Sequence, residues 1–510
     1  MFNREKSQPI FDRALSVLVK GVSSNFRYLG KDETPIISRG KGARMWDADG
    51  NEFIDYRLGW GPIILGHADD RVNQAVAAAI ENGITFAATT ELEVDVAEKI
   101  KEMVPGMEKL RFSNTGTEAT MHALRTARGY TNREKFIKFE GQYHGAHDYV
   151  LFSTASSPVS ALGERSAPTP AQVGSGIPDK IRAYVYCLPF NDFDAVEQCI
   201  KNHHGEVAAL FVEPCLGNIA GIEPNNGFLI HLRSLCDKYG IVLVFDEVKT
   251  GFRLANGGAR EAYGVIPDIS TYAKSLGNGF PVAAFGGNKD VMNVVGGGNV
   301  THAGTFGGNG LSMAAAKAVL DILTASPVLD NLARRGERLK AGLGQILTEA
   351  NLPHQMTGHP NIQSFLITEN PVKEVRDFSH TDEEIKQVLS LKKIAVIGMS
   401  KHSTKAAHFV PKYLSEQGFD ITPINPNATE ILGKKSYPDV SSLDHPVDVV
   451  DVFRPSEDVL PFVEDAIKKK PKVIWLQEGI HNSEAEELAR SNGIMVIFNR
   501  CMLAEHQRLF

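Results

Sequence analysis

Short apolar runs alternate with stretches whose apolar residues recur every three or four positions, from about Lys109 onward. The runs "KLRFS", "KFIKFE", "RAYVYCL", "VAALFVEP" and "IVLVFDEV" are short and rich in β-branched and aromatic residues, so they predict strands. Between them, "EATMHALRTARGY" and "GFLIHLRSLCDKYG" carry helical spacing, the second closed by Gly240 as a C-cap. This alternation predicts α/β layers with largely parallel sheets. One run poses a chemical problem. "IVLVFDEVKTGFR", Ile241 to Arg253, reads as a strand buried on both faces that ends in two adjacent acids, Asp246 and Glu247. Burying a carboxylate is costly unless it is paired, so both acids predict partners at that strand end.

Two features break the pattern. Ser153 to Asp179, "STASSPVSALGERSAPTPAQVGSGIPD", is rich in Ser, Pro, Ala and Gly. A loop this long inside a compact domain is usually a functional lid or a disordered segment, and the residues alone leave both open. Near Ser379 the pattern restarts with "TDEEIKQVLSLKKIAVIGMS", a helix followed by a parallel-type strand ending at Gly398. Clean βα alternation then runs to Phe510. Residues 1–378 and 380–510 are therefore expected to form separate domains, the second doubly wound. A length of 510 residues suits that division.

Composition narrows the function classes. Hydrophobic residues make up 43% and charged residues 23%, an ordinary globular balance. The net charge of −7 is mixed along the chain with no basic tract, so neither nucleic acid nor a membrane surface is an expected partner. The opening "MFNREKSQPIFDRALSVLVKG" lacks the unbroken apolar core of a signal peptide. No stretch approaches the roughly 18 apolar residues of a membrane span. The five cysteines (Cys187, Cys199, Cys215, Cys236, Cys501) form no Cys-x-x-Cys pair, and the 16 histidines form no ligand array. Reduced thiols, a cytoplasmic location and no metal are the expectations.

Two segments carry chemistry. In "RFSNTGTEATMHALRTARGY" a strand gives way to Asn-Thr-Gly-Thr and a helix opening at Glu118. Free backbone N–H groups, the hydroxyls of Thr115 and Thr117, and close approach at Gly116 would make a phosphate cup. Plain N-capping by Thr117 explains the same residues. The Lys of a Walker loop is absent, which argues against a nucleoside triphosphate. In "TYAKSLGNGFPVAAFGG", Lys274 sits among apolar and small residues. A lone lysine usually runs its stem to solvent. In an apolar pocket its pKa falls and it becomes an imine-forming nucleophile. A phosphate cup, a buried acid and a pocket lysine together suit pyridoxal phosphate, with Asp246 pairing the protonated pyridine nitrogen.

Residues from about 10 to 370 resemble the class III pyridoxal-phosphate aminotransferases, above all the glutamate-1-semialdehyde aminomutase branch. "FSNTGTEA", "FEGQYHGAHD", "VEPCLGN", "VFDEVKTGFR", "YAKSLGNGFPVAAFGG" and "HAGTFGGN" carry the resemblance, in the family's order. It implies an α/β fold-type I transferase, a mostly parallel sheet between helices, acting as a homodimer with pyridoxal 5'-phosphate. It also implies a catalytic set of Lys274, Asp246 and Tyr143. Lys274 would hold the cofactor covalently and, once released, shuttle the substrate proton. Asp246 would hold the pyridine nitrogen, Val248 would pack beneath the ring, and Tyr143 would stack on its other face. His144 joins the cofactor set. Thr115, Gly116 and Thr117 would hold the phosphate, with Thr305 reaching it from the partner subunit. Glu213 and Asn218 would line the site near the phenolic oxygen. On the substrate side, Arg27 with Ser24 beside it would clamp a carboxylate, and Trp60 in "LGWGPIILGH" matches an aromatic wall. A solvated surface arginine is the plain alternative for Arg27. The branch keeps a mobile loop where residues 153–179 fall, which favours the lid reading.

The implied reaction moves an amino group between an amino acid or amine and a keto or aldehyde acceptor. The aminomutase reaction, in which one molecule donates and receives, is the close alternative. Three departures bear on this. Gly310 replaces a frequent proline in "GGNGLSM", and Lys249 stands where Met or Gln is more usual. After "NIQSFLITENPVKEVRDF" the family continues for several tens of residues, whereas here "SHTDEEIKQVL" follows at once. A shortened C-terminal subdomain predicts exposed apolar surface. It also sustains a third reading, a catalytically silent shell carrying a CoA sensor.

The second domain lacks Gly-x-Gly-x-x-Gly and a ribose-clamping acid. Through "VIGMS", "PINPN", "VDVVDVFR", "IWLQEGI" and "NRCMLAEHQRL" it resembles the small Rossmann-like CoA-binding domain also found in the α subunit of succinyl-CoA synthetase. The resemblance implies that Gly398, Ser400 and Lys405 meet CoA phosphates. Asn425, Pro426, Phe453 and Arg454 would line the crevice at the strand ends. Ordinary surface charge is the alternative for Lys405 and Arg454. The expected partners are thus an amino donor and acceptor, CoA or acyl-CoA, and a second copy of the chain.

Overall fold

The strand runs fold where their burial is greatest. The computed structural model describes the chain apart from residues 1–2, 32, 158, 297–299, 369–370, 379–381, 481 and 499. An antiparallel sheet of β1 (Ile37–Lys41), β2 (Arg44–Asp47) and β3 (Glu52–Ile54) comes first. A seven-stranded sheet follows: β4 (Lys109–Ser113), β5 (Lys135–Phe139), β6 (Val185–Leu188), β7 (Val207–Val212), β8 (Val242–Asp246), β9 (Ile269–Tyr272) and β10 (Ala283–Gly287). Its order is β4-β10-β9-β8-β7-β5-β6. β10 runs antiparallel to both neighbours and the other pairings are parallel. β7 and β8 are buried at every position, as central parallel strands covered on both faces must be.

Helices supply those covers. Gly116–Thr131 turns Ala119, Ala123, Leu124 and Ala127 onto Phe136, Phe211, Val244 and Phe285. Phe228–Tyr239 turns Phe228, Leu232 and Leu235 onto Ile137, Leu210, Leu243 and Phe245 on the other face. Gly240, at φ +61°, ends that helix in the left-handed cap its position predicts. The first helix begins two residues before the expected Glu118, because Thr115 takes the cap and its Oγ1 accepts from Glu118 N (3.2 Å).

The described residues of 153–179, the segment expected as a lid, follow a packed course. Ser153 N donates to Ala171 O (2.7 Å), and Leu162, Ala171 and Ile177 are buried. Arg165 pairs with Asp192 and Glu374. The sequence hid this because the anchoring carboxylates come from distant segments.

The chain divides into two compact units, Met1–Arg376 and Asp377–Phe510; the boundary expected near Ser379 lies outside the described residues. The first unit closes with the antiparallel pair β11 (His354–Thr357) and β12 (Ser364–Ile367). Phe365 and Ile367 remain 45% and 53% exposed there. The second unit is one parallel sheet of β13 (Lys393–Ile397), β14 (Asp420–Ile424), β15 (Val449–Val452), β16 (Val473–Leu476) and β17 (Met495–Ile497). The order β14-β13-β15-β16-β17 reverses direction between β13 and β15, which opens a crevice at their C-terminal ends.

Arg376 ties the end of the first unit into its core. Its Nε and Nη2 reach both oxygens of Glu140 (2.7 Å each), and Nη1 donates to Gly163 O (2.9 Å). Glu140 is fully buried; burial pushes its carboxyl up and Arg376 holds it down. Arg376→Ala leaves that carboxylate unpaired, and urea unfolding should show the first unit less stable by about 3–5 kcal/mol. Adding Glu140→Gln should recover part of the loss; no loss in the single variant would mean water already compensates Glu140.

Candidate active site

The C-terminal ends of parallel strands gather the chemical side chains. β5 runs into Tyr143 and His144, β8 ends at Asp246, and the turn after β9 carries Lys274. Their side chains border a cavity of about 160 Å³, with Gly116, Thr117 and Val248 on one side. Glu213, Asn218 and Lys249 border it on another.

The two acids at the end of β8 find different partners. Asp246, 3% exposed, places Oδ2 2.7 Å from His144 Nδ1, while Oδ1 accepts from Val248 N (3.0 Å) and the Thr271 hydroxyl (3.2 Å). Glu247 turns away from the cavity. It accepts from Ala259 N and from the hydroxyls of Thr250 and Tyr272 (3.3 Å each). Burial pushes its carboxyl up to about 7, against the Ala259 N–H and the nearby Arg260. Glu247 therefore braces the fold, and of the two adjacent acids it is Asp246 that borders the cavity.

Lys274 adopts φ +46°, a left-handed conformation unusual for a residue with a side chain. Strain of that kind persists where the surroundings over-determine it. Arg253 bonds Ser275 Oγ (3.3 Å) and Gly61 O, and a Cβ on Gly61 would stand 3.6 Å from Lys274 Cδ. Burial first, then the charge of Lys249, pulls the Lys274 amine down to about 8, with Asp246 and Glu213 opposing.

Close backbone approach shapes the side opposite. A Cβ at Gly116 would lie 3.0 Å from both Val248 methyls. At Gly145, where φ is +102°, a Cβ would stand 2.6 Å from Thr117 Oγ1. Tyr143 is fixed through its backbone, its N donating to Glu213 Oε1 (2.7 Å). Glu213 Oε2 accepts from Gly217 N (3.2 Å).

Nine expected residues thus border one cavity: Gly116, Thr117, Tyr143, His144, Glu213, Asn218, Asp246, Val248 and Lys274. Thr115 is spent on the helix cap, and Thr305 is exposed, outside this cavity. Ser24, Arg27 and Trp60 also lie outside its lining. Trp60 still approaches the site, because its ring meets Phe26 at 5.9 Å and Phe26 meets Tyr143 at 6.3 Å. Sequence reasoning gave no role to Gly145, Phe26 or Lys249. Lys249 alone carried a signal, as a departure from the family pattern.

In the second unit, a Cβ on Gly398 (φ +77°) would stand 2.4 Å from Phe453 O and 3.2 Å from Arg454 Nε. Asn425 Nδ2 donates to Met399 O (2.8 Å), and Ser400 Oγ accepts from His402 N (3.1 Å). The Arg454 guanidinium lies over the Phe462 ring at 4.8 Å, with Nε buried and without a hydrogen-bond partner. Lys405 and Pro426 are exposed nearby in sequence.

Residues 28–418 match the family model for aminotransferase class-III, and residues 392–507 match that for a CoA binding domain. The overlap, 392–418, lies within the second unit. The chain is 43% identical over 374 residues to a glutamate-1-semialdehyde 2,1-aminomutase from Sulfurihydrogenibium azorense, covering 72% of this chain and 85% of that one. An omega-transaminase from Sphaerobacter thermophilus superimposes with a TM-score of 0.70 at 35% identity, over 75% and 87% of the two chains. A β-phenylalanine aminotransferase from Variovorax paradoxus does so at 0.64 and 32%, over 75% and 84%.

Proposed function

This chain belongs to the class-III aminotransferases, and from that premise we propose that its first unit moves an amino group between an amino acid or amine and a keto or aldehyde acceptor, using pyridoxal 5'-phosphate. The observation that carries the reading is the convergence of a desolvated Lys274 amine and the buried Asp246 carboxyl on one cavity. His144 Nε2, buried and without a partner, supports a ligand there, as does the cradle that a Cβ at Gly116 or Gly145 would fill.

Gly116, Thr117 and the helix N-terminus would hold the phosphate. Asp246 would hold the ring nitrogen, and Val248 and Tyr143 would enclose the ring. When bound, the cofactor supplies an electron sink for the pair left at the substrate α-carbon. The protein's part is positional and acid–base. His144 and the turn after β8 hold the Asp246 carboxyl in place. An amine with a pKa of about 8 is uncharged in roughly one molecule in ten at pH 7, far more than an ordinary lysine, so Lys274 Nζ can take the α-carbon proton. Trp60 and Phe26 would exclude water from the open side of the cavity.

For the second unit we propose binding of CoA or acyl-CoA at the β13–β15 crevice. The match to a CoA binding domain supports it, as does Arg454, whose buried Nε lacks a partner beside the close turn at Gly398.

Loaded with pyridoxal phosphate and an amino donor, the purified chain should release one keto or aldehyde equivalent per site, and turn over when a keto-acid acceptor is added. Lys274→Ala should slow release by about 10²–10⁴-fold. Turnover of a single aminoaldehyde without acceptor would identify the aminomutase reading instead. A protein that holds the cofactor yet releases nothing from any donor would be the silent shell.

Calorimetric titration of the full chain with CoA should detect binding, weakened about tenfold, or about 1.4 kcal/mol, by Arg454→Ala. An unchanged Kd would remove Arg454 from the site.

A further inference from the structure

Lys249 borders the cavity with no part in the reaction described above. It follows Val248 just beyond β8. Its Nζ donates to Asn218 Oδ1 (2.6 Å) and to Gly217 O, so the ammonium is seated on the turn that follows β7. The fit is close: a Cβ at Gly217 would lie 2.3 Å from Lys249 Cδ, and only glycine leaves room for the lysine stem.

Two amines therefore share one small cavity. The charged groups that bear on Lys274 are Lys249 beyond β8, Asp246 at its end, Glu213 after β7, and Arg253. Both anions are already engaged. Asp246 serves His144, Val248 N and the Thr271 hydroxyl, and Glu213 serves Tyr143 N and Gly217 N. Arg253 is turned to Gly61 O, Asn361 O and Ser275 Oγ. Burial lowers the Lys249 amine as well, while Glu213 raises it. Two oxygen acceptors at hydrogen-bond distance favour its charged form, so the first proton of the pair belongs on Lys249. A like charge this close, in a medium far less polarisable than water, disfavours a second proton on Lys274.

We propose that Lys249 is a positioning residue of the active site: seated on the Gly217–Asn218 turn, its ammonium disfavours the protonated form of the neighbouring Lys274 amine and so favours the reactive free amine. Its catalytic meaning rests on the reading of Lys274 given above; the electrostatic coupling of the two amines does not. A methionine or glutamine at this position would fill the space without the charge. The effect on pH follows from the sign. A like charge lowers the Lys274 pKa, so removing it raises the pKa and moves the onset of Lys274 reactivity to higher pH.

The test labels the full chain, stripped of cofactor, with acetic anhydride across pH and maps acetylation at Lys274. The midpoint of Lys274 labelling should rise by about one pH unit in Lys249→Met and Lys249→Gln, a rate about tenfold lower near neutrality. Lys249→Arg should keep the parental midpoint. Parental midpoints in both neutral variants would overturn the proposal. So would an arginine variant that shifts as far as they do, because the role would then be packing. With the cofactor restored, the acid limb of kcat should shift in step with the labelling midpoint. A labelling shift in a protein that performs no amino transfer would overturn the function and leave the coupling standing.

Discussion

A carboxylate at the end of a fully buried strand constrains everything around it. Asp246 sits where water cannot solvate it, which is costly unless several polar partners converge. The fold supplies them from three segments: the His144 ring beyond β5, the Val248 amide in the following turn, and the Thr271 hydroxyl on β9. Each donor also fixes a neighbour. His144 is adjacent to Tyr143, Val248 forms one wall of the cavity, and Thr271 lies on the strand that leads to Lys274. Satisfying one buried charge thereby sets the geometry of the site.

The remaining features protect that arrangement. Gln142 exchanges hydrogen bonds with the Glu213 backbone (2.9 and 3.1 Å), and Glu213 in turn holds the Tyr143 amide. Arg376 clamps Glu140 at the root of the same segment, so the last residue of the first unit steadies the chain that carries Tyr143 and His144. The exposed apolar side chains of β12 lie outside this bonded set.

Much of this was legible in the residues. Apolar runs gave the central strands within a residue or two, and Gly240 marked its helix end. Asp246 and Lys274 stood out because a charge inside an apolar run needs a reason. What stayed hidden depended on contacts between distant segments. The partners of Glu247 lie up to 25 residues further along the chain, and only folding brings Tyr272 to it. Thr115 and Thr117 are both competent caps, so local chemistry could not decide between them. For residues 153–179 composition left a lid and a disordered segment both open, because neither its buried Leu162 nor its Arg165 pairs can be read from composition. Lys249 was visible as an oddity, but its proximity to Lys274 was not.

In the function proposed above, Lys274, beside Asp246 on the same cavity, is the residue that takes the cofactor. The first measurement is the visible absorption spectrum of the purified chain supplied with pyridoxal phosphate, before and after borohydride, followed by peptide mapping. A visible band that borohydride bleaches and a pyridoxyl group on the peptide containing Lys274 are expected. No band at saturating cofactor, or a pyridoxyl group on Lys249 or any other lysine, would contradict it.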